Sequence, residues 1–116
     1  MDLKIYHFGS EYGRDIHAFG SQNLVMTRVL SSMDELQTGC MHLGPNGVVG
    51  YHQATAPQLF MVVSGSGFVR GQDNGEQPIE AGSAAFWEAG EWHETRTEQG
   101  LTAIVIEGIS LNLYME

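Results

Sequence analysis

The stretch GYHQATAPQLFMVVSGSG, residues 50–67, decides how this chain is read. A lone histidine, His52, precedes a polar loop carrying Pro57. The loop runs into the apolar segment Leu59 to Val63, and Gly65 and Gly67 then interrupt it. Side chains on a strand alternate between faces, so if Gln58 points inward, Phe60 and Val62 do too. His52 and Gln58 thus flank a loop at the start of a core strand. They are either ordinary lining of a barrel or donors of a metal site.

The same punctuation recurs along the chain, which holds fifteen glycines and three prolines. SGSG (64–67), DNG (73–75), EAG (80–82 and 88–90) and EQG (98–100) separate short apolar segments. This spacing is that of an all-β sandwich or barrel made of hairpins. Asn74-Gly75 is the strongest hairpin signal, because both residues tolerate positive φ. Strands are predicted at 3–8, 23–31, 38–43, 49–53, 58–63, 67–72, 77–80, 84–87, 92–97 and 101–108, with a further one at 111–115. SSMDEL (31–36) has capping-box spacing between Ser32 and Glu35 but is short, and it is read as a strand-to-strand turn. With no repeat, linker or low-complexity tract, residues 1–116 form a single domain.

A chain of 116 residues, 42% apolar, is long enough for a hydrophobic core without staples. The net charge of −9 leaves five scattered basic residues, so no stripe exists to neutralise a phosphate backbone. Nucleic acid and anionic membrane surfaces are excluded as partners on that ground. Leu59 to Val63 and Ala103 to Ile106 are too short to span a bilayer. The N-terminal MDLKIYHFGS lacks the pattern of a secretory signal. With one cysteine, Cys40, no internal disulfide forms, and a cytoplasmic location is expected. Cys40 itself reads as a small core or interface residue.

Chemistry must come from histidines, carboxylates and aromatics. His7 and His17 have no ligand partner at useful spacing, and His42 in TGCMHLG alternates outward from Met41 and Leu43. His52 and His93 stand in two patterned stretches. In the first, Asn46 is followed by His52, Ala54, Gln58 and Gly65; in the second, Gly82 is followed by Glu88, Gly90, His93 and Thr97. These spacings resemble the two motifs of the cupin superfamily, with Asn46 at a glycine, Ala54 at a histidine, Gln58 at a glutamate, Glu88 at a proline and Thr97 at an asparagine of the pattern. The resemblance runs from Thr38 to Gly108 and implies an all-β cupin jelly-roll barrel.

The family's metal site uses three histidines and a glutamate pointing into the barrel. Carried onto this chain, the resemblance leaves His52, Gln58 and His93 as candidate ligands of a divalent Zn, Ni or Fe ion. Ala54 cannot ligate, and a neutral amide is a poorer donor than carboxylate. Glu88, Glu91 and Glu94 flank His93; Glu94 alternates away from it, while Glu88 and Glu91 are turn residues free to swing either way. If close, these carboxylates favour the protonated imidazole.

Three functions follow. In the first, a small molecule binds in the barrel beside a weakly held metal, with His93 as ligand or general acid/base and Gln58, Phe60 and Trp92 lining the pocket. In the second, the same pocket works without metal as a binding or sensing module. In the third, His52, Gln58 and His93 are a satisfied polar cluster in an inert structural barrel. Residues 1–30 and 109–116 are expected at sheet edges that need cover, and a homodimer is the expected assembly.

Overall fold

The computed structural model describes residues 3–73 and 75–116. Among them, β1 (Lys4–His7) leads through a short turn of 3-10 helix to β2 (Arg14–Asp15) and β3 (Val25–Met26), a two-stranded ribbon of its own. After β4 (Leu30–Ser31) come β5 (Gln37–Leu43), β6 (Val48–Gln53), β7 (Gln58–Arg70), β8 (Gln77–Glu80), β9 (Ser83–Trp87), β10 (Trp92–Arg96) and β11 (Leu101–Glu107). The short β12 (Asn112–Leu113) follows.

β7 is the spine of both sheets. Its first half lies between β9 and β11, with β1 beyond β9 and β5 beyond β11. Its second half lies between β8 and β10, with β6 beyond β10. All these pairs are antiparallel, and the two sheets face each other as a jelly-roll barrel.

The expected break between 58–63 and 67–72 is therefore not a turn but a bend in one strand. Gly65 adopts φ 80°, and the register with β11 shifts beside it, between Thr102 and Ala103. A Cβ at Gly65 would come within 2.8 Å of Leu101 Cα, so only glycine fits this bulge. The single strand expected over 23–31 divides because its halves take different partners. β3 pairs with β2, and β4 with β12. The hairpin signal at Asn74 lies outside the described residues. Ser32 caps its own turn rather than a helix, its Oγ accepting from the Asp34 N–H at 3.1 Å.

Alternation along the strands sorts the apolar residues into two layers. Phe60, Val62, Val69, Ile79, Ala85, Trp87, Leu101, Ala103 and Val105 fill the space between the sheets. Leu59 and Ala84 face the other way, under Met115 and beside Phe8, Leu30 and Leu113. Residues on both flanks of the barrel thus fold back over it. Burying one large apolar side chain contributes about 1.5–3 kcal/mol, which makes Trp87 and Phe60 the main anchors of the inner layer. Met41 and Leu43 pack against that layer and His42 is exposed, as alternation requires. Cys40, read as a core or interface residue, is not in the core of the chain but exposed, sharing the outward parity of His42 on a strand that among the described residues pairs with β11 alone. No helix among the described residues is long and apolar enough to cross a membrane.

Candidate functional site

One layer of the barrel interior carries polar and aromatic groups instead of aliphatics. Glu107 on β11 is opposite Gln58 on β7, and Gln58 is opposite Trp87 on β9. Gln58 Nε2 donates to Glu107 Oε1 at 2.8 Å. The Trp87 ring lies 4.3 Å from that of His93, centroid to centroid, and His93 lies 4.4 Å from His52, its partner across the β10–β6 pair. Phe60 meets Trp87 edge-on at 6.1 Å from the aliphatic side. The result is a belt, Glu107–Gln58–Trp87–His93–His52, crossing five strands at one level.

Burial controls the protonation of this belt. His93 is only 2% exposed and its Nε2 has no hydrogen-bond partner. Desolvation, with a smaller contribution from the neighbouring His52, lowers its pKa to about 4. His93 is therefore neutral at physiological pH. The flanking carboxylates, which would favour its protonated form if close, do not face it. Glu94 points outward and accepts from Arg70 Nε at 3.0 Å, and Glu88 is exposed. Glu91 turns back on its own turn, Oε1 accepting from the Glu88 N–H at 3.1 Å. His52 is exposed, and its Nδ1 lies 2.6 Å from the Gly50 carbonyl. A carbonyl only accepts, so Nδ1 donates here and Nε2 is the ring nitrogen left without a partner.

Comparison with known families settles the lineage. The family described as Cupin domain matches residues 39–108. The chain is a cupin.

Among solved structures, this cupin is similar to a cupin superfamily protein from Desulfitobacterium hafniense, at 14% identity over 78% of this chain and 82% of that one, with a TM-score of 0.61. A cupin-2 domain protein from Shewanella frigidimarina is 18% identical over 69% of this chain and 76% of that one, TM-score 0.56. The DMSP lyase DddQ from Ruegeria pomeroyi is 16% identical over 89% of this chain but only 55% of its own, TM-score 0.60. At these identities the likeness is one of fold. The curated proteins give no significant match.

The family implies a metal, and the donor set of this cupin does not fit the four-ligand site. Ala54 is buried where a second histidine would stand, and the Gln58 amide is engaged with Glu107. No group of three or more His, Cys, Asp and Glu side chains converges among the described residues. What remains of the site is a pair of imidazoles. The belt instead offers two buried polar atoms without partners, His93 Nε2 and the indole Nε1 of Trp87.

The remaining candidates are placed apart from one another. Phe60 is 2% exposed and belongs to the aliphatic core behind the belt. Trp92 is 41% exposed and packs on Tyr51 at 5.5 Å, on the face of β10 away from His93. Tyr51 in turn carries the Arg70 guanidinium over its ring at 4.2 Å. Two features were not legible in the sequence: the place of Glu107 and the burial of Glu91. Glu107 gives the belt its carboxylate, and it lines both an open groove of about 750 Å³ with Leu36, Thr55 and Ile109 and a smaller one along β5. Glu91 is fully buried, its Oε2 unpartnered. Burial pushes its carboxyl pKa up, against the Glu88 N–H hydrogen bond that lowers it. A Cβ on Gly71 would collide with that carboxylate, so the glycine makes room for it.

Proposed function

We propose that this cupin binds a small molecule at the belt without a resident metal. The observation that carries the reading is the pair of unpartnered ring nitrogens, Trp87 Nε1 and His93 Nε2, on adjacent rings in the barrel interior. Buried polar atoms without partners cost about 1–3 kcal/mol each, and a hydrogen-bonding ligand removes that cost. The indole N–H donates, so a ligand bearing a carbonyl-type acceptor suits the belt, and His52 Nε2 is left for a second polar contact. Glu107, at one end of the belt, also lines the open groove with Leu36, Thr55 and Ile109.

The test is a fragment screen by NMR on metal-stripped protein, following the imidazole and indole resonances. Fragments that shift His52, His93 and Trp87 together, and lose affinity in Trp87→Phe, support the reading. A screen in which no fragment moves these resonances contradicts it and favours an inert barrel.

A second reading keeps a weakly held divalent metal between the imidazoles. It is supported by the free Nε2 of His52 and the neutral ring of His93, since neutral imidazole is the ligating form. Neither reading makes the cupin an enzyme of stated reaction. We also propose that it works as a homodimer, which the outer edges of β5 and β6, each paired on one side only among the described residues, support. Light scattering at micromolar concentration should give twice the chain mass, and the mass of one chain would contradict it.

A further inference from the structure

Five basic residues stand against fourteen acidic ones in this chain, and two of the five share a groove. Arg70 and Arg96 are held by Glu94 and Glu76. Among the described residues, Arg14 and Arg28 make no such ion pair. They line a groove of about 390 Å³ together with His7, Tyr12, Tyr114 and Glu116. Arg14 is the register partner of Met26, and Arg28 follows Met26 by two residues, just beyond the end of β3.

The groove is built entirely outside residues 39–108, from parts the family match does not cover. Backbone bonds fix its walls: the Tyr114 N–H donates to Val29 O and the His7 N–H to Glu116 O, each at 2.8 Å. Its aromatic surfaces are ordered as well. Tyr12 stacks on His7 with centroids 5.1 Å apart and planes 15° from parallel, and the Arg28 guanidinium sits 4.1 Å over the Tyr114 ring. Stacked guanidinium keeps its N–H edge available, and that edge matches the oxygens of carboxylate or phosphate.

We propose that this groove is a second binding site, specific for a small organic phosphate. A phosphate monoester is close to a dianion at neutral pH and offers three oxygens to two guanidiniums. Its organic part lies against Tyr12 or Tyr114. The volume is within the range of small-molecule sites. In a protein of net charge −9, long-range attraction does not bring anions in, so recognition depends on these two arginines. Among the described residues lining the groove, Glu116 has the one acidic side chain, and it opposes the ligand.

Calorimetric titration at low ionic strength with phenyl phosphate, inorganic phosphate and benzyl alcohol tests the assignment on the full chain. Phenyl phosphate should bind saturably and more tightly than inorganic phosphate, and benzyl alcohol should not bind. Arg14→Gln and Arg28→Gln should each weaken phenyl phosphate by about tenfold or more, the loss expected for a hydrogen bond to a charged group. Arg96→Gln should leave it unchanged, and Glu116→Gln should tighten it. Both groove arginines are exposed, so their loss does not endanger the fold. Absence of saturable binding, or equal affinity in the Arg14 and Arg28 variants and the parent, would overturn the site. Equal affinity for the two phosphates would overturn the organic-phosphate assignment.

Discussion

His93 stands directly across the β10–β6 pair from His52, with the two ring centroids 4.4 Å apart and only His52 reaching solvent. One imidazole is thus held neutral by the core, while the other presents its free nitrogen at the surface. Burial of His93 sets the first prediction. Its pKa of about 4 in the folded chain lies below the ordinary 6.5, so the unfolded chain binds the extra proton first. Stability should be full above pH 6.5 and fall as pH drops toward 4, by up to about 3 kcal/mol. Urea denaturation at pH 7, 5.5 and 4.5 measures this, and His93→Gln should flatten the dependence. An unchanged slope in the variant would remove the burial account.

Glu91 acts in the opposite direction. Its carboxyl pKa is raised by burial, so the folded chain holds a proton that the unfolded chain has lost above pH 4.5. Its contribution is most favourable below that pH and declines as pH rises through the raised folded value. Glu91→Gln keeps an oxygen for the Glu88 N–H and removes the charge. The variant should be more stable than the parent at pH 8, with the gap closing toward pH 4.5. A variant less stable at pH 8 than at pH 4.5, relative to the parent, contradicts this.

The hydrogen bond from Gln58 to Glu107 makes a third case. Gln58→Glu places two carboxylates where the amide and carboxylate now lie 2.8 Å apart. The variant should lose about 1–3 kcal/mol at pH 7 and recover much of it near pH 4, when the two groups share a proton. Thermal melts at both pH values decide it; equal loss at both would mean that the pair does not govern the site.

Trp87 separates packing from polarity. Trp87→Ala opens a cavity under His93 and should cost about 3–5 kcal/mol. Trp87→Phe leaves a smaller cavity and deletes an N–H that has no partner, so the free protein should lose clearly less than in Trp87→Ala while ligand binding at the belt weakens. A Trp87→Phe loss as large as that of Trp87→Ala would show that the indole N–H is already satisfied.

How legible these features were depends on their range in sequence. His52, Gln58 and His93 stand at motif spacings, and strand alternation turned Gln58 and Phe60 to one face. In EWHE (91–94) the same alternation that sends Glu94 away from His93 also sends Trp92 away. Glu107 was hidden, because its partnership with Gln58 rests on a strand register spanning 49 residues and on a bulge at Gly65 that resembles a turn. Glu91 was hidden for another reason. Its burial arises from a turn folding a carboxylate onto its own backbone beside Gly71, and polar turn residues are ordinarily solvated.

The most direct test of a belt without resident metal is the metal content of purified, untagged protein after Zn²⁺, Ni²⁺ and Fe²⁺ have been offered and the excess removed. The account predicts well under one equivalent of any of them, with no difference between the parent and a His52→Ala, His93→Ala double variant. One equivalent retained by the parent and lost by the double variant would contradict it.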